Sequence, residues 1–113
     1  MTTDCLFCKI IAGNIPASTV YRDEQVTAIR DINPQAPTHI LVLPNQHVAG
    51  ISAAAPGDQA MLGGLLLAAQ KIAAQEGLTG YRLVVNNGAE AGQSVFHLHL
   101  HLLGGRAMRW PPG

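Results

Sequence analysis

Charged residues are scarce in this sequence: Asp, Glu, Lys and Arg make up 12% of the 113 residues, whereas apolar residues make up 48%. Seven basic residues balance seven acidic ones, so the formal net charge is zero with neutral histidines. Nucleic-acid grooves and surfaces for anionic membranes need a basic excess, so this balance argues against both as the main partner. The apolar fraction excludes intrinsic disorder and suggests that a second subunit covers part of the surface.

Long apolar runs and targeting signals are also lacking. The first residues, Met1 to Ile11, contain no basic segment, and their apolar stretches are too short for a signal peptide or a transmembrane helix. We therefore expect a cytoplasmic protein. Without repeats or low-complexity runs, and at a typical domain length, residues 1–113 are predicted to form one domain.

Two hydrophobic periods alternate along the chain and predict an α+β fold. A short helix is expected over residues 5–12 and one long helix from Asp58, its N-cap, to Gly77. The long helix has one apolar stripe, made of Met61, Leu62, Leu65, Leu66, Ala69, Ile72 and Ala73. Its interior pair, Gly63 and Gly64, costs about 1 kcal/mol each relative to alanine, which suggests a close approach by a helix of a second subunit. Strands are predicted over residues 19–22, 25–32, 39–43, 81–86 and 95–103, with an irregular tail after them.

Three histidines alternate with leucines in the last predicted strand. Side chains alternate between the faces of a strand, so His97, His99 and His101 are expected to share one face, at steps of about 6.5 to 7 Å. An ordinary solvent-facing strand carries Lys, Glu or Thr at such positions, so three histidines indicate a chemical site.

Two kinds of site fit three aligned imidazoles. They could ligate zinc with an open position for water. Alternatively, one neutral imidazole attacks phosphorus while its neighbours donate hydrogen bonds to the phosphoryl oxygens. The turn Gly92-Gln93-Ser94 favours the second, because its N–H groups could cradle phosphate and its hydroxyl could serve a leaving group.

Residues 97–103 (His-Leu-His-Leu-His-Leu-Leu) resemble the signature of the histidine-triad (HIT) family, in which three histidines alternate with apolar residues. Residues 31–39, the segment Gly92-Gln93-Ser94-Val95 and the ending Trp-Pro-Pro-Gly resemble the Hint branch, the nucleoside phosphoramidases. The resemblance spans nearly the whole chain. It implies a HIT-like antiparallel sheet with one long and one short N-terminal helix, a homodimer, and hydrolysis of the P–N bond of purine nucleoside 5′-phosphoramidates.

The resemblance also implies roles for individual residues. His99 matches the nucleophile, and His97 and His101 match the phosphate-site histidines on either side of it. His39 matches a histidine that orients the nucleophile and relays its protons. Ser94 matches the hydroxyl that serves the leaving amine. Asp31 matches the carboxylate that binds the ribose, although it could instead cap the turn before Pro34. Five apolar residues match the slot that holds a purine, such as that of AMP or GMP: Leu6, Phe7, Ile10, Ile29 and Ile32. Ordinary core packing is the alternative interpretation of these five. Asn86 and Gly92 match residues that contact the phosphate.

Cys5 and Cys8 form a Cys-x-x-Cys pair, for which reduced thiols, a redox pair and half of a zinc site are competing interpretations. Bacterial proteins that resemble this chain carry the same pair, and with His47 and His97 it would make a structural Cys₂His₂ zinc site. His97 could not then also donate to phosphate. No metal is expected to be required for catalysis.

Three alternatives to the phosphoramidase remain from the sequence. A dinucleoside polyphosphate hydrolase would use the same histidine to split P–O–P bonds. A regulatory module would bind purine nucleotides without turnover. A zinc-dependent hydrolase would need a catalytic metal.

Overall fold

One antiparallel sheet organises the chain, which the computed structural model describes from residue 4 to residue 113. Its strands are β1 (Thr19–Arg22), β2 (Val26–Arg30), β3 (Thr38–Pro44), β4 (Tyr81–Val84) and β5 (Leu100–Gly104), in the spatial order β1-β2-β3-β5-β4. The helices are α1 (Leu6–Ile11) and α2 (Gln59–Gln75), with short 3₁₀ turns at Ile51–Ala53, Pro56–Asp58 and Ala89–Ala91. No helix within residues 4–113 is long and apolar enough to cross a membrane.

The two faces of the sheet have different coverings because side chains alternate along β3 and β5. Ile40, Val42, Leu100 and Leu102 pack in the main core with the buried face of α2. The opposite face carries Leu41 and Leu43, which pack against Phe7 and its neighbours in α1. His39 and His101 also belong to this second face, since Leu41 pairs directly with His101 across the two strands. The α1 face of the sheet therefore carries the polar side chains.

The last strand is shorter than predicted. It begins at Leu100 rather than at residue 95; residues 95–97 form bends, and residues 98–99 have no regular secondary structure. At this point the carbonyl of Pro44, which ends β3, accepts a hydrogen bond from the ring of His97 at 2.8 Å. Proline also has no N–H to donate to a ladder. The prediction of one regular strand through all three histidines is therefore wrong, because only His101 lies in β5. The predicted alternation holds, since the rings of His97, His99 and His101 lie on the α1 side and the leucines between and after them lie in the main core.

The long helix matches its prediction closely but not at every residue. Its buried face is Leu65, Ala68, Ala69, Ile72 and Ala73, and it ends before Gly77, whose φ is +73°. The predicted stripe is wrong at Leu66, which is 53% exposed.

Two further details of α2 bear on its prediction. Asp58 is the N-cap residue, yet its carboxylate accepts from the backbone N–H of Ala55 at 2.9 Å rather than from the helix. Apart from the adjacent residues and the backbone of α2 itself, no atom of the described chain lies within 4 Å of a Cβ built at Gly63. Only one such atom, in the Gln25 side chain, lies within 4 Å of a Cβ built at Gly64. The glycine pair is therefore open on the described part of this chain, and the close approach by a second subunit stays a prediction.

The other strands differ from prediction only at their ends. The hairpin of β1 and β2 turns at Asp23, as predicted, because its carboxylate accepts from the backbone N–H groups of Gln25 and Val26, both at 2.8 Å. β2 ends at Arg30 and β4 at Val84, each two residues before its predicted end. The tail after Gly104 contains no helix or strand, as expected.

Candidate functional site

A cavity of about 570 Å³ opens on the α1 face of the sheet. Its wall contains nine of the residues singled out from the sequence: Leu6, Phe7, Ile10, Ile29, Asp31, Ile32, Ser94, His99 and His101. Most of this wall is apolar, and Ile32 at its rim is fully exposed. The arrangement suits a flat, largely apolar ring system with polar groups gathered at one end.

Permanent positive charge is nearly absent from this wall. Among the described residues that line the cavity, Arg30 alone is a permanent cation, and its guanidinium pairs with Glu76, the C-cap residue of α2, at 2.9 Å. An anionic group bound here would therefore have to be neutralised by imidazoles and by backbone N–H groups.

Asp31 joins the cavity wall to the turn that follows β2. Its Oδ1 accepts from the backbone N–H of Asn33 at 2.8 Å, which is the turn cap that the sequence offered as an alternative. Its Oδ2 lies 3.5 Å from His39 Nε2, and the residue lines the cavity. Turn capping and ligand binding are therefore compatible at this carboxylate, because each uses a different oxygen.

His99 is held in one tautomer by the backbone. Its Nδ1 lies 2.7 Å from the carbonyl oxygen of His97, which can only accept, so Nδ1 carries the hydrogen. In the neutral ring Nε2 then has the lone pair. The ring is buried, lines the cavity, and meets the Phe7 ring edge-on at 5.1 Å between centroids. Such a fixed neutral imidazole has the form of a nucleophile.

His39 and His101 form a second fixed pair. The backbone N–H of Gln35 donates to His39 Nδ1 at 3.0 Å, so a neutral His39 carries its hydrogen on Nε2. That Nε2 donates to His101 Nδ1 at 2.9 Å, which leaves the hydrogen of a neutral His101 on Nε2. His101 Nε2 is buried and has no hydrogen-bond partner among the described residues. His39 thus contacts His101, and its described hydrogen bonds do not include the expected partner, His99.

The pKa values of this pair agree with neutral rings. Burial is the main cause that lowers the pKa of His39, and the nearby Asp31 carboxylate opposes it. Burial also lowers the pKa of His101 to about 4, with help from His99 and His39. The contact between His39 and Asp31 is therefore made by a neutral imidazole and is not an ion pair at pH 7.

His97 does not line the cavity but joins the cysteines, together with His47. Its Nδ1 lies 3.2 Å from His47 Nδ1, 3.4 Å from Cys5 Sγ and 3.5 Å from Cys8 Sγ, and Cys8 Sγ lies 3.4 Å from His47 Nδ1. Tetrahedral zinc would set about 3.3 Å between two nitrogen ligands and about 3.6 Å between nitrogen and sulfur. The four side chains, which we call the Cys₂His₂ cluster, therefore have the spacing of a zinc site.

The tautomer of His97 also fits a metal ligand. Its Nε2 donates to the Pro44 carbonyl, so the neutral ring presents the Nδ1 lone pair to the cluster. The ring is fully buried, and burial lowers its pKa. Burial raises the pKa of the Cys5 thiol, so a metal that bound there would displace a proton.

The loop before His97 is held by Gln93, which the sequence did not single out as a site residue. Its buried amide donates to the carbonyls of Ala49 at 2.7 Å and Val95 at 3.1 Å, and accepts from the Gly88 N–H at 2.8 Å. Ser94 follows it at the cavity wall. Asn86 and Gly92 lie beside each other outside that wall, with a Cβ built at Gly92 3.8 Å from Asn86 Nδ2.

The HIT domain model matches residues 12–108 of this chain. The chain belongs to the HIT family. It is similar to an uncharacterized HIT-like protein of Synechocystis (54% identity over all of both chains) and to a 14 kDa zinc-binding protein of Zea mays (53% identity over 96% of this chain and 87% of that protein). It also resembles the crystal structure of a HIT family hydrolase from Legionella pneumophila, at a TM-score of 0.95 and 53% identity over 97% of this chain and all of the other. These matches confirm the predicted α+β HIT-like fold and support a hydrolase.

Part of the cavity wall of this HIT protein was not identified from the sequence. These residues are Ile15, Pro16, Ala17, Ser18, Arg30, Leu41 and Val95. Leu41 had a signal, because it lies two positions from His39 in β3 and so shares its face. The segment 15–18 has no such periodicity, and only the folded chain brings it beside α1.

Proposed function

We propose that this HIT protein is a nucleoside phosphoramidase of the Hint type, which hydrolyses the P–N bond of purine nucleoside 5′-phosphoramidates. The observation that carries the proposal is the tautomer of His99, whose Nδ1–H donates to the His97 carbonyl and leaves Nε2 as a base at the cavity. A neutral imidazole is a competent nucleophile at pH 7 without the activation that a serine needs.

In the first step, the Nε2 lone pair of His99 forms a bond to the α-phosphorus. The P–N bond to the amine breaks, and the amine leaves with its electron pair and a proton that the Ser94 hydroxyl relays from solvent water. The product on the enzyme is a nucleotidyl-imidazolium whose Nδ1–H still donates to the His97 carbonyl. That carbonyl dipole stabilises the positive charge that develops on the ring.

In the second step, water attacks the same phosphorus and the N–P bond to His99 breaks. The water loses a proton to solvent, which balances the one taken up in the first step; the imidazole recovers the electron pair of the N–P bond and is again neutral, and the 5′-nucleotide is released. His101 Nε2–H is the proposed donor to the phosphoryl oxygens, because it is a buried donor without a described partner. His39 holds His101 in that tautomer and is assigned an indirect role.

The remaining wall supports a purine nucleoside as the rest of the substrate. Apolar side chains of α1 and β2 offer faces for a ring, and Asp31 is the proposed acceptor for the ribose hydroxyls. Asn86 and Gly92 are proposed to contact the phosphate from the loop that leads to Ser94. AMP and GMP, with their phosphoramidates, are therefore the ligands to test.

The test is rapid-quench mass spectrometry of the protein during turnover of adenosine 5′-phosphoramidate. We expect an adduct of one AMP group on His99 in the wild-type protein and none in His99→Ala, whose turnover falls by about 10⁴-fold or more. Retention of AMP binding by His99→Ala is the control for folding. Faster hydrolysis of diadenosine tri- or tetraphosphate than of the phosphoramidate would assign the protein to the polyphosphate hydrolases instead, and binding without turnover would make it a regulatory module.

Three further assignments belong to this proposal. The Cys₂His₂ cluster is proposed to bind structural zinc, which would cross-link α1 to the loop before β5, and metal analysis of the purified protein tests it.

A homodimer is proposed through the exposed side of α2, where an apolar groove is formed by Ile51, Leu62, Leu65, Leu66, Val85, Leu98 and Leu100. The reduced cysteines suit a reducing compartment, and the cytoplasm is the proposed location.

A further inference from the structure

The Cys₂His₂ cluster and the nucleotide cavity share one short stretch of α1. Cys5 and Cys8 direct their sulfur atoms to His97, whereas Leu6 and Phe7 between them line the cavity. The Phe7 ring meets the rings of both His97 and His99 edge-on, at 5.9 and 5.1 Å between centroids. A displacement of Cys5 and Cys8 would therefore displace both the cavity wall that is proposed to hold the base (the base slot) and the Phe7 ring that packs against His99.

The two sites also share the segment from His97 to His99. The ring of His97 belongs to the cluster, and its carbonyl accepts the hydrogen bond that fixes His99. That peptide is held on one side by the Leu98 N–H, which donates to the Val48 carbonyl at 2.6 Å, and on the other by the His97 ring, which is anchored at Nε2 by the Pro44 carbonyl and at Nδ1 by the cluster. One residue therefore carries a ligand atom of one site and the orienting acceptor of the other.

We propose that zinc in the Cys₂His₂ cluster positions the nucleotide site, through His97 on His99 and through Phe7 on the base slot, so that metal and nucleotide bind cooperatively. The inference rests on the proposed function for the identity of the nucleotide site, and it goes beyond a purely structural metal. His97 and Phe7 act here as positioning residues, and the metal takes no part in either bond-making step.

Coupling between two sites is reciprocal, and this gives a measurement that does not depend on turnover. If zinc raises the affinity for AMP by some factor, AMP must raise the affinity for zinc by the same factor. Typical couplings between linked sites correspond to about 5- to 150-fold, and we expect about tenfold here.

The experiment measures both factors on the full-length protein. AMP affinity is determined by calorimetry on zinc-loaded and metal-stripped protein, and zinc affinity is determined by competition with a chelator, with and without AMP. We expect two equal factors of about ten. Equal AMP affinities of loaded and stripped protein, both folded by near-ultraviolet circular dichroism, would overturn the proposal.

Two variants separate coupling from binding. Phe7→Leu keeps an apolar wall but removes the ring that contacts both histidines, and it should reduce the factor severalfold. Ile32→Ala alters the exposed rim of the cavity, so it should weaken AMP binding to both forms and leave the factor unchanged. A factor that is unchanged in Phe7→Leu would contradict the assigned route through this ring.

A second readout applies if the stripped protein unfolds. In Co²⁺-loaded protein, AMP should shift the visible absorption bands of the metal in the wild type and shift them less in Phe7→Leu; unshifted wild-type bands overturn the proposal. Coupling without phosphoramidase activity would refute the proposed function alone. Failure of the loaded protein to bind AMP would refute both.

Discussion

The ring of His39 on β3 donates a hydrogen bond from Nε2 to Nδ1 of His101 on β5, over 2.9 Å. The two residues are diagonal neighbours on the α1 face, since His39 pairs with Leu103 and His101 pairs with Leu41. The backbone N–H of Gln35 donates to the other ring nitrogen of His39, Nδ1. Each group in this chain of hydrogen bonds therefore donates to the next one, from Gln35 to His39 and from His39 to His101. The chain of hydrogen bonds ends at His101 Nε2, a buried donor without a partner among the described residues, for which we propose the phosphoryl oxygens.

This pair predicts how stability depends on pH. The pKa of His101 is about 4 in the folded protein, below its unfolded value of about 6.5, so the unfolded chain binds more protons between these values. The free energy of unfolding should therefore fall as the pH is lowered from 6.5 towards 4, and His39, whose pKa burial also lowers, adds to the effect.

His101→Asn isolates the contribution of this histidine, because its amide oxygen can still accept from His39. Urea unfolding at several pH values should show a slope smaller by up to about 1.4 kcal/mol per pH unit below pH 6.5, and an unchanged slope between pH 7 and 8. An identical acid slope in wild type and variant would show that His101 is not the group that titrates.

Asp31→Asn tests the ribose contact without removing the turn cap. The amide oxygen of asparagine can still accept from the N–H of Asn33, so the fold should persist. A hydrogen bond to a charged group contributes about 1.5–3 kcal/mol, so AMP affinity should fall by about 10- to 100-fold. The matched control is 2′,3′-dideoxy-AMP, whose affinity should not change. Equal losses for both ligands in calorimetry would assign Asp31 a structural role only.

Ser94→Ala tests proton delivery to the leaving amine. The hydroxyl lies at the cavity wall, and its loss should slow the release of strongly basic amines most, because they depend most on protonation. We expect losses in kcat of about 100-fold for alkyl amines and much smaller losses for arylamines. A series of phosphoramidates with graded amine basicity measures this. A uniform loss across the series would contradict the relay role.

Leu66→Glu tests the homodimer. Leu66 is 53% exposed beside the apolar groove on α2, although leucine is otherwise a typical core residue. A charge buried there without a partner should weaken self-association by about 100-fold or more, as measured by sedimentation equilibrium. Gln75→Glu, at an exposed position of the same helix outside the groove, is the matched control. A wild-type protein that sediments as a monomer would refute the dimer itself.

The sequence alone was sufficient to predict the elements and most of the cavity. Periodicity located both helices and the hairpin, since alternation and helical spacing are local properties of the chain. The pattern of histidines and leucines also indicated that Leu100 and Leu102 face away from His101, as the structure has them. The resemblance to the HIT family identified nine residues of the cavity wall, and it missed residues 15–18, Arg30, Leu41 and Val95.

Tertiary structure decided what the individual histidines do. Spacing by two residues placed His97, His99 and His101 on one side of the sheet, as the structure has them, but the regular strand begins only at Leu100, where the Pro44 carbonyl at the end of β3 binds the ring of His97. His97 therefore turns to the cysteines, His99 to the cavity, and His101 to His39. Hydrogen bonds to residues distant in the chain, Pro44 and His39, select the tautomers of His97 and His101. His99 and His39 are fixed by nearby backbone groups, but only the folded loops bring those groups to the rings.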